Sequence, residues 1–96
     1  MGIDDIVRPR REEILRIAAR YGARDVRVFG SVARGEARPD CDVDLLVRLA
    51  PGSSLLEHAA LTRELAALLG RGVDVVSERA LRDRVRERVL REAVPL

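Results

Sequence analysis

The chain has 96 residues, 47% of them hydrophobic and 35% charged, with a formal net charge of +2. That length fits one domain with a modest core over residues 1–96, and so large an apolar share excludes a disordered polymer. One Phe, one Tyr and no Trp leave almost no platform for stacking unpaired bases, and 16 acids spread among 18 basic residues, all Arg, argue against direct nucleic-acid binding by bulk charge.

In chain order, the first helix is predicted from about Pro9 to Tyr21. Ile14, Leu15, Ala18 and Tyr21 recur at helical spacing, Pro9 is tolerated in a first turn, and Gly22 is a stop. Val26, Val28 and Phe29 read as a short strand ending at Gly30. Residues Ser31 to Pro39 lack a sustained period and form a turn around at most one helical turn. Val43, Leu45, Val47 and Leu49 stand at alternate positions, the period of a strand, and Pro51 and Gly52 end it. Ser54 with Glu57 is a capping-box signal for a helix through about Leu69, closed by Gly70 and Gly72.

Val73 to Val76 is a third strand. Ser77 is expected to cap the last helix, with Val76 and Leu81 as a hydrophobic staple. Leu81, Val85, Val89 and Ala93 then make one apolar stripe, facing either the chain's own sheet or a partner, a second copy included. The reading is a small α/β or α+β domain, with helices packed on a mixed sheet of three or four strands. Cys41 is the single cysteine, so no intrachain disulfide can form. No apolar run is long enough to cross a bilayer, and a cytoplasmic location is expected.

The chemistry concentrates in residues 29 to 47. Alternate side chains of a strand share a face, so Asp42 and Asp44 point the same way with Cα atoms about 6.6 Å apart. Asp74, on the neighbouring short strand, can add a third carboxylate. Such hard oxygen ligands suit Mg²⁺, which takes carboxylates, water and substrate phosphate, and two such ions about 3.5–4 Å apart stabilise phosphoryl chemistry. A D-x-D pair is also the pattern of a plain solvated strand face. Gly30 and Ser31 directly follow a strand, where a glycine lets phosphate approach the backbone and the hydroxyl and amides donate to it. Arg34, a few residues on, can neutralise part of a triphosphate. His58 sits in LLEHAAL and reads as a solvated or core-edge residue.

The segment GSVARGEARPDCDVDLLV resembles the signature of the minimal nucleotidyltransferases of the polymerase-β superfamily. It joins a Gly-Ser turn, Gly30-Ser31-Val32-Ala33-Arg34-Gly35, to a D-x-D strand, Asp42-Val43-Asp44-Leu45, and the likeness runs from Val26 to Val76. The resemblance implies the nucleotidyltransferase fold and a catalytic and metal-binding set of Asp42, Asp44 and Asp74. It also implies two Mg²⁺ ions, ATP as substrate, and contact of Gly30 and Ser31 with the β,γ-phosphates, with Arg34 as an auxiliary phosphate or loop-stabilising residue. Where the family commonly has Ser before the first acid, this chain has Cys41.

The expected reaction is transfer of AMP to an acceptor hydroxyl with release of pyrophosphate. Relatives of this family resemble antitoxins paired with HEPN-type ribonuclease toxins, which implies a toxin tyrosine as acceptor. Two other readings stand beside it: an antitoxin that neutralises by binding alone, and an RNA-binding or RNA-modifying domain that uses the Arg-rich segment from Arg79 to Arg91.

Overall fold

The computed structural model describes all of residues 1–96. A single-turn helix α1 (Ile3–Ile6) and a 3-10 turn at Arg8–Arg10 lead into helix α2 (Arg11–Arg20). Pro9 thus lies in the turn before α2, where its missing N–H costs no helical bond. Strand β1 (Ala23–Phe29) runs into helix α3 (Gly30–Ala33), then strand β2 (Val43–Leu49), helix α4 (Leu55–Leu69) and strand β3 (Val73–Ser77). A 3-10 turn at Glu78–Ala80 precedes helix α5 (Asp83–Glu92), and a two-residue strand β4 (Val94–Pro95) follows it.

The four strands form one mixed sheet in the order β3-β2-β1-β4. β1 pairs antiparallel with β2 and with β4, and β2 pairs parallel with β3. The parallel step needs a crossover, and α4 supplies it. Its start is the capping box read from the sequence, with the Glu57 N–H donating to Ser54 Oγ at 3.1 Å, and Gly70 ends it in the left-handed conformation. In β1, pairing with β2 slips between Arg24 and Arg27, where Asp25 has a φ of 52°; this is a bulge that turns the strand.

One core lies between the sheet and helices α2 and α4, built from Ile14, Ala18, Val28, Val43, Leu45, Val47, Leu61, Leu65, Val73 and Val75. Two buried apolar residues outside it, Leu46 and Val89, belong to β2 and α5. Leu46 points to the opposite sheet face, because its neighbours Leu45 and Val47 point into the core. That second face carries Asp44 and Arg48 of β2, Asp42 just before it and Asp74 of β3, and α5 packs toward it through Arg86 and Glu92.

Three expectations near the C-terminus are corrected. Ser77 ends β3 and does not cap the last helix; α5 begins six residues later, with Arg82 in extended conformation as its N-cap. The staple of Val76 and Leu81 is therefore absent, since the 3-10 turn and an extended Leu81 intervene. The stripe is also divided, with Val89 buried and Val85 exposed. Glu78, which follows Ser77, anchors the chain by ion pairs to Arg27 and Arg48, and this delays the helix. No helix is long and apolar enough to cross a membrane.

Candidate active site

The sheet register places the three acids. Asp44 pairs with Asp74 across the parallel β2–β3 step and with Phe29 across the antiparallel β1–β2 step. Asp42 precedes Asp44 by two residues, at the mouth of β2, and so shares its face. Asp42 and Asp74 are exposed, while Asp44 is half-buried. Burial pushes the Asp44 carboxyl up from the ordinary carboxylate range; Asp74, Asp42 and Glu92 push the same way, and Arg34 offsets part of this.

Two glycines make room for these carboxylates. Gly30 opens α3 with a φ of +75°, and a Cβ there would collide with the Asp44 carboxylate. Gly72 has ordinary φ, yet a Cβ on it would collide with the Asp42 carboxylate; its carbonyl accepts the Val43 N–H at 2.9 Å. Gly72 therefore does more than close α4, which is all its sequence context suggests. The turn before Asp42 is braced as well. The Arg38 N–H donates to Cys41 Sγ at 3.3 Å, and Arg71 donates to the carbonyls of Arg38 and Cys41 at 3.5 and 3.4 Å. Cys41 thus serves here as a weak acceptor that braces the turn.

The phosphate-grip candidates lie alongside. Ser31 is half-buried in the first turn of α3, and its carbonyl accepts from Glu36 N–H at 2.9 Å. Arg34 is exposed and paired with Glu36 at 3.3 Å and with Glu92. Glu92, at the end of α5, also accepts the Gly30 N–H at 3.2 Å. Glu92 carries no sequence signal for this place, since 62 residues separate it from Gly30. His58 lies at the core edge, with Nε2 2.6 Å from the Val75 carbonyl, away from the acids.

The structure thus brings Asp42, Asp44, Asp74, Gly30, Ser31 and Arg34 to one end of one sheet face. The side chains do not close into a ligand cage: no three acidic, His or Cys groups converge as an ion-binding cluster. Like charges this near repel one another. Mg²⁺ does not require such a cage, because it is held by one or two carboxylates together with water and substrate phosphates. The donor set, oxygen-only and cradled over two glycines, fits that ion.

A family described as nucleotidyltransferase domain matches residues 11–96. The protein adenylyltransferase MntA of Thermococcus cleftensis is 47% identical over 75 residues, covering 78% of this chain and 76% of that protein. The chain belongs to the nucleotidyltransferase domain family, among its MntA-like members. A solved structure named "putative minimal nucleotidyltransferase" is 58% identical to this nucleotidyltransferase, with a TM-score of 0.88 over 100% of this chain and 97% of that one. The fold is also shared with a Shewanella oneidensis MNT antitoxin in complex with a tri-AMPylated HEPN toxin, at 20% identity and a TM-score of 0.67 over 88% of this chain and 66% of that one.

Proposed function

We propose that this nucleotidyltransferase moves AMP from ATP to a hydroxyl of a protein partner, a tyrosine of a HEPN-type toxin, and acts as that toxin's antitoxin. The observation that carries the reading is Asp44, register partner of Asp74 and face partner of Asp42, lying against the Gly30 turn. The name of the Thermococcus cleftensis relative supports adenylyl transfer to protein, and the Shewanella oneidensis complex supports a HEPN toxin as acceptor.

In this reaction the acceptor oxygen bonds to the α-phosphorus of ATP. The bond from that phosphorus to the bridging oxygen breaks, pyrophosphate leaves with the electron pair, and the hydroxyl gives up its proton. Phosphoryl transfer of this kind needs alignment and charge stabilisation more than a covalent enzyme group, so Cys41 is not required as a nucleophile. Mg²⁺ ions held by Asp42, Asp44 and Asp74 would supply charge neutralisation of the triphosphate and a lowered pKa of the acceptor hydroxyl. The Gly30 N–H and the Ser31 hydroxyl would donate to the β,γ-phosphates, with Arg34 reaching them from the end of α3. Asp74 lies exposed beside Asp44, where an acceptor hydroxyl can approach from solvent and lose its proton to a carboxylate.

The test is intact mass spectrometry of the toxin encoded beside this chain, after incubation with the chain, ATP and Mg²⁺. Mass increments of AMP units that vanish with Asp44→Ala are the expected result. No increment, in a stable complex that still binds metal and nucleotide, would replace transfer by neutralisation through binding alone.

A further inference from the structure

The same sheet face that carries the acids at one end carries a basic basin at the other. A cavity of about 280 Å³ is lined by Arg24, Arg48, Arg79 and Arg86 together with Glu78. Arg24 and Arg48 stand directly opposite each other across β1 and β2, an arrangement of like charges that destabilises a sheet. Glu78 offsets part of that cost. Nearly buried, it binds Arg27 at 2.6 Å, Arg48 at 3.0 Å and Arg86 at 3.3 Å. Arg86 donates in addition to the Glu78 carbonyl at 3.3 Å. The Arg27, Arg48 and Arg86 guanidiniums are thus held in place before any ligand arrives, and they fix the floor of the basin.

The positive charge exceeds what the chain itself neutralises. Among Arg24, Arg27, Arg48, Arg79 and Arg86 the ion pairs involve only Asp25 and Glu78, and neither Arg24 nor Arg79 is paired with any acid. Two rim guanidiniums are therefore open to a planar oxyanion group.

We propose that this basin docks carboxylate side chains from an acidic segment of a protein partner. A nucleic-acid strand fits it less well. No aromatic side chain lines the cavity to stack a base. A strand with a charge at every nucleotide would also meet Asp42, Asp44, Asp74 and Glu92 on the same face, whereas a protein segment can place its carboxylates at the basic end alone. Arg48 lies four residues beyond Asp44 on β2, about 13 Å along the strand. A segment anchored in the basin can thus present a hydroxyl to the acids. That last consequence rests on the transfer reading; the docking does not.

Nitrogen-15 NMR of the arginine Nε–H groups in the full chain tests the proposal with a Gly-Ser peptide that carries one Glu-Glu pair. The expected result is shifts at Arg24, Arg79 and Arg86 that are absent with a Gln-Gln peptide and shrink with added salt. Arg24→Ala combined with Arg79→Ala should weaken binding about fivefold. Both side chains are exposed and unpaired, so the variant keeps its fold. No shift at these groups, or stronger shifts with a short oligouridylate than with the peptide, would overturn the proposal. Failure to bind MgATP in a separate titration would remove the transfer reading and leave this result standing.

Discussion

The two ends of the outer sheet face solve the same electrostatic problem in opposite ways. At the Glu78 end, one nearly buried carboxylate is surrounded by three guanidiniums, and hydrogen bonds from Arg48 and Arg27 hold its carboxyl below the ordinary range. At the other end, Asp44 is partly buried beside Asp74, Asp42 and Glu92, with Arg34 the one cation that pulls its carboxyl down, and it rises. Only Leu46 separates Asp44 from Arg48, the first residue of the basic end, along this face of β2. Paired charge supports the fold, while crowded, uncompensated charge weakens it and calls for a cation. The acidic end should therefore matter for activity and the Glu78 carboxylate for stability.

The strongest way to break this contrast is Asp44→Asn. Transfer should fall by about 10³-fold, the scale of removing a principal charge-stabilising group. Stability should rise, because the burial and the neighbouring acids that raise the Asp44 carboxyl no longer act on a charge. The sign follows from proton linkage. A carboxyl raised in the folded state binds more protons folded than unfolded, so stability falls as pH climbs from its unfolded value through the raised one. In thermal melts the wild type should lose stability relative to Asp44→Asn as pH climbs across that window. A variant less stable than wild type at neutral pH would show that Asp44 holds the fold together.

Gly30→Ala comes next. It places a methyl group against the Asp44 carboxylate at a left-handed backbone position and should cost about 2 kcal/mol or more in urea unfolding. Measured in the Asp44→Gly background, so that the loss of the carboxylate cancels, Gly30→Ala should cost less by the steric part alone. A cost reduced beyond that part would show that the φ of +75° is not strained by alanine.

Glu78→Gln probes the other end. The amide cannot satisfy three guanidiniums, and the melting midpoint should drop by about 5–10 °C. The folded carboxyl is depressed, so this contribution is present above the unfolded pKa and is lost as pH falls toward the depressed value. The gap between wild type and variant should therefore close in acid. Steady-state affinity for MgATP should stay unchanged, and a loss there would tie the two ends together.

Much of this contrast is legible in the sequence, but unevenly. The D-x-D alternation in β2 and the capping box at Ser54 are local patterns, and a strand or a cap is a local object. The pairing of Asp44 with Asp74 is within reach because both acids sit in short β-branched runs. The roles of Gly72 and Glu92 are not, since each depends on a residue brought near by the sheet and not by the chain. The start of α5 departs from its sequence signal for the same reason: Ser77 has the chemistry of a cap, but the ion pairs of Glu78 with β1 and β2 outweigh it. Strand β4 is two residues long, too short to show a period, and one of them is Pro95.

Glu92→Gln sharpens the comparison at the finest scale. In the wild type this carboxylate accepts the Gly30 N–H and pairs with Arg34, the same donors assigned to the β,γ-phosphates. A triphosphate must therefore displace it, and its charge adds to the repulsion already raised by the three Asp residues. The substituted amide keeps the shape and an acceptor oxygen while removing the charge. Since an exposed ion pair contributes little, MgATP affinity measured by calorimetry should increase by about two- to fivefold. A decrease would give Glu92 the opposite role, that of holding Arg34 in position for the nucleotide.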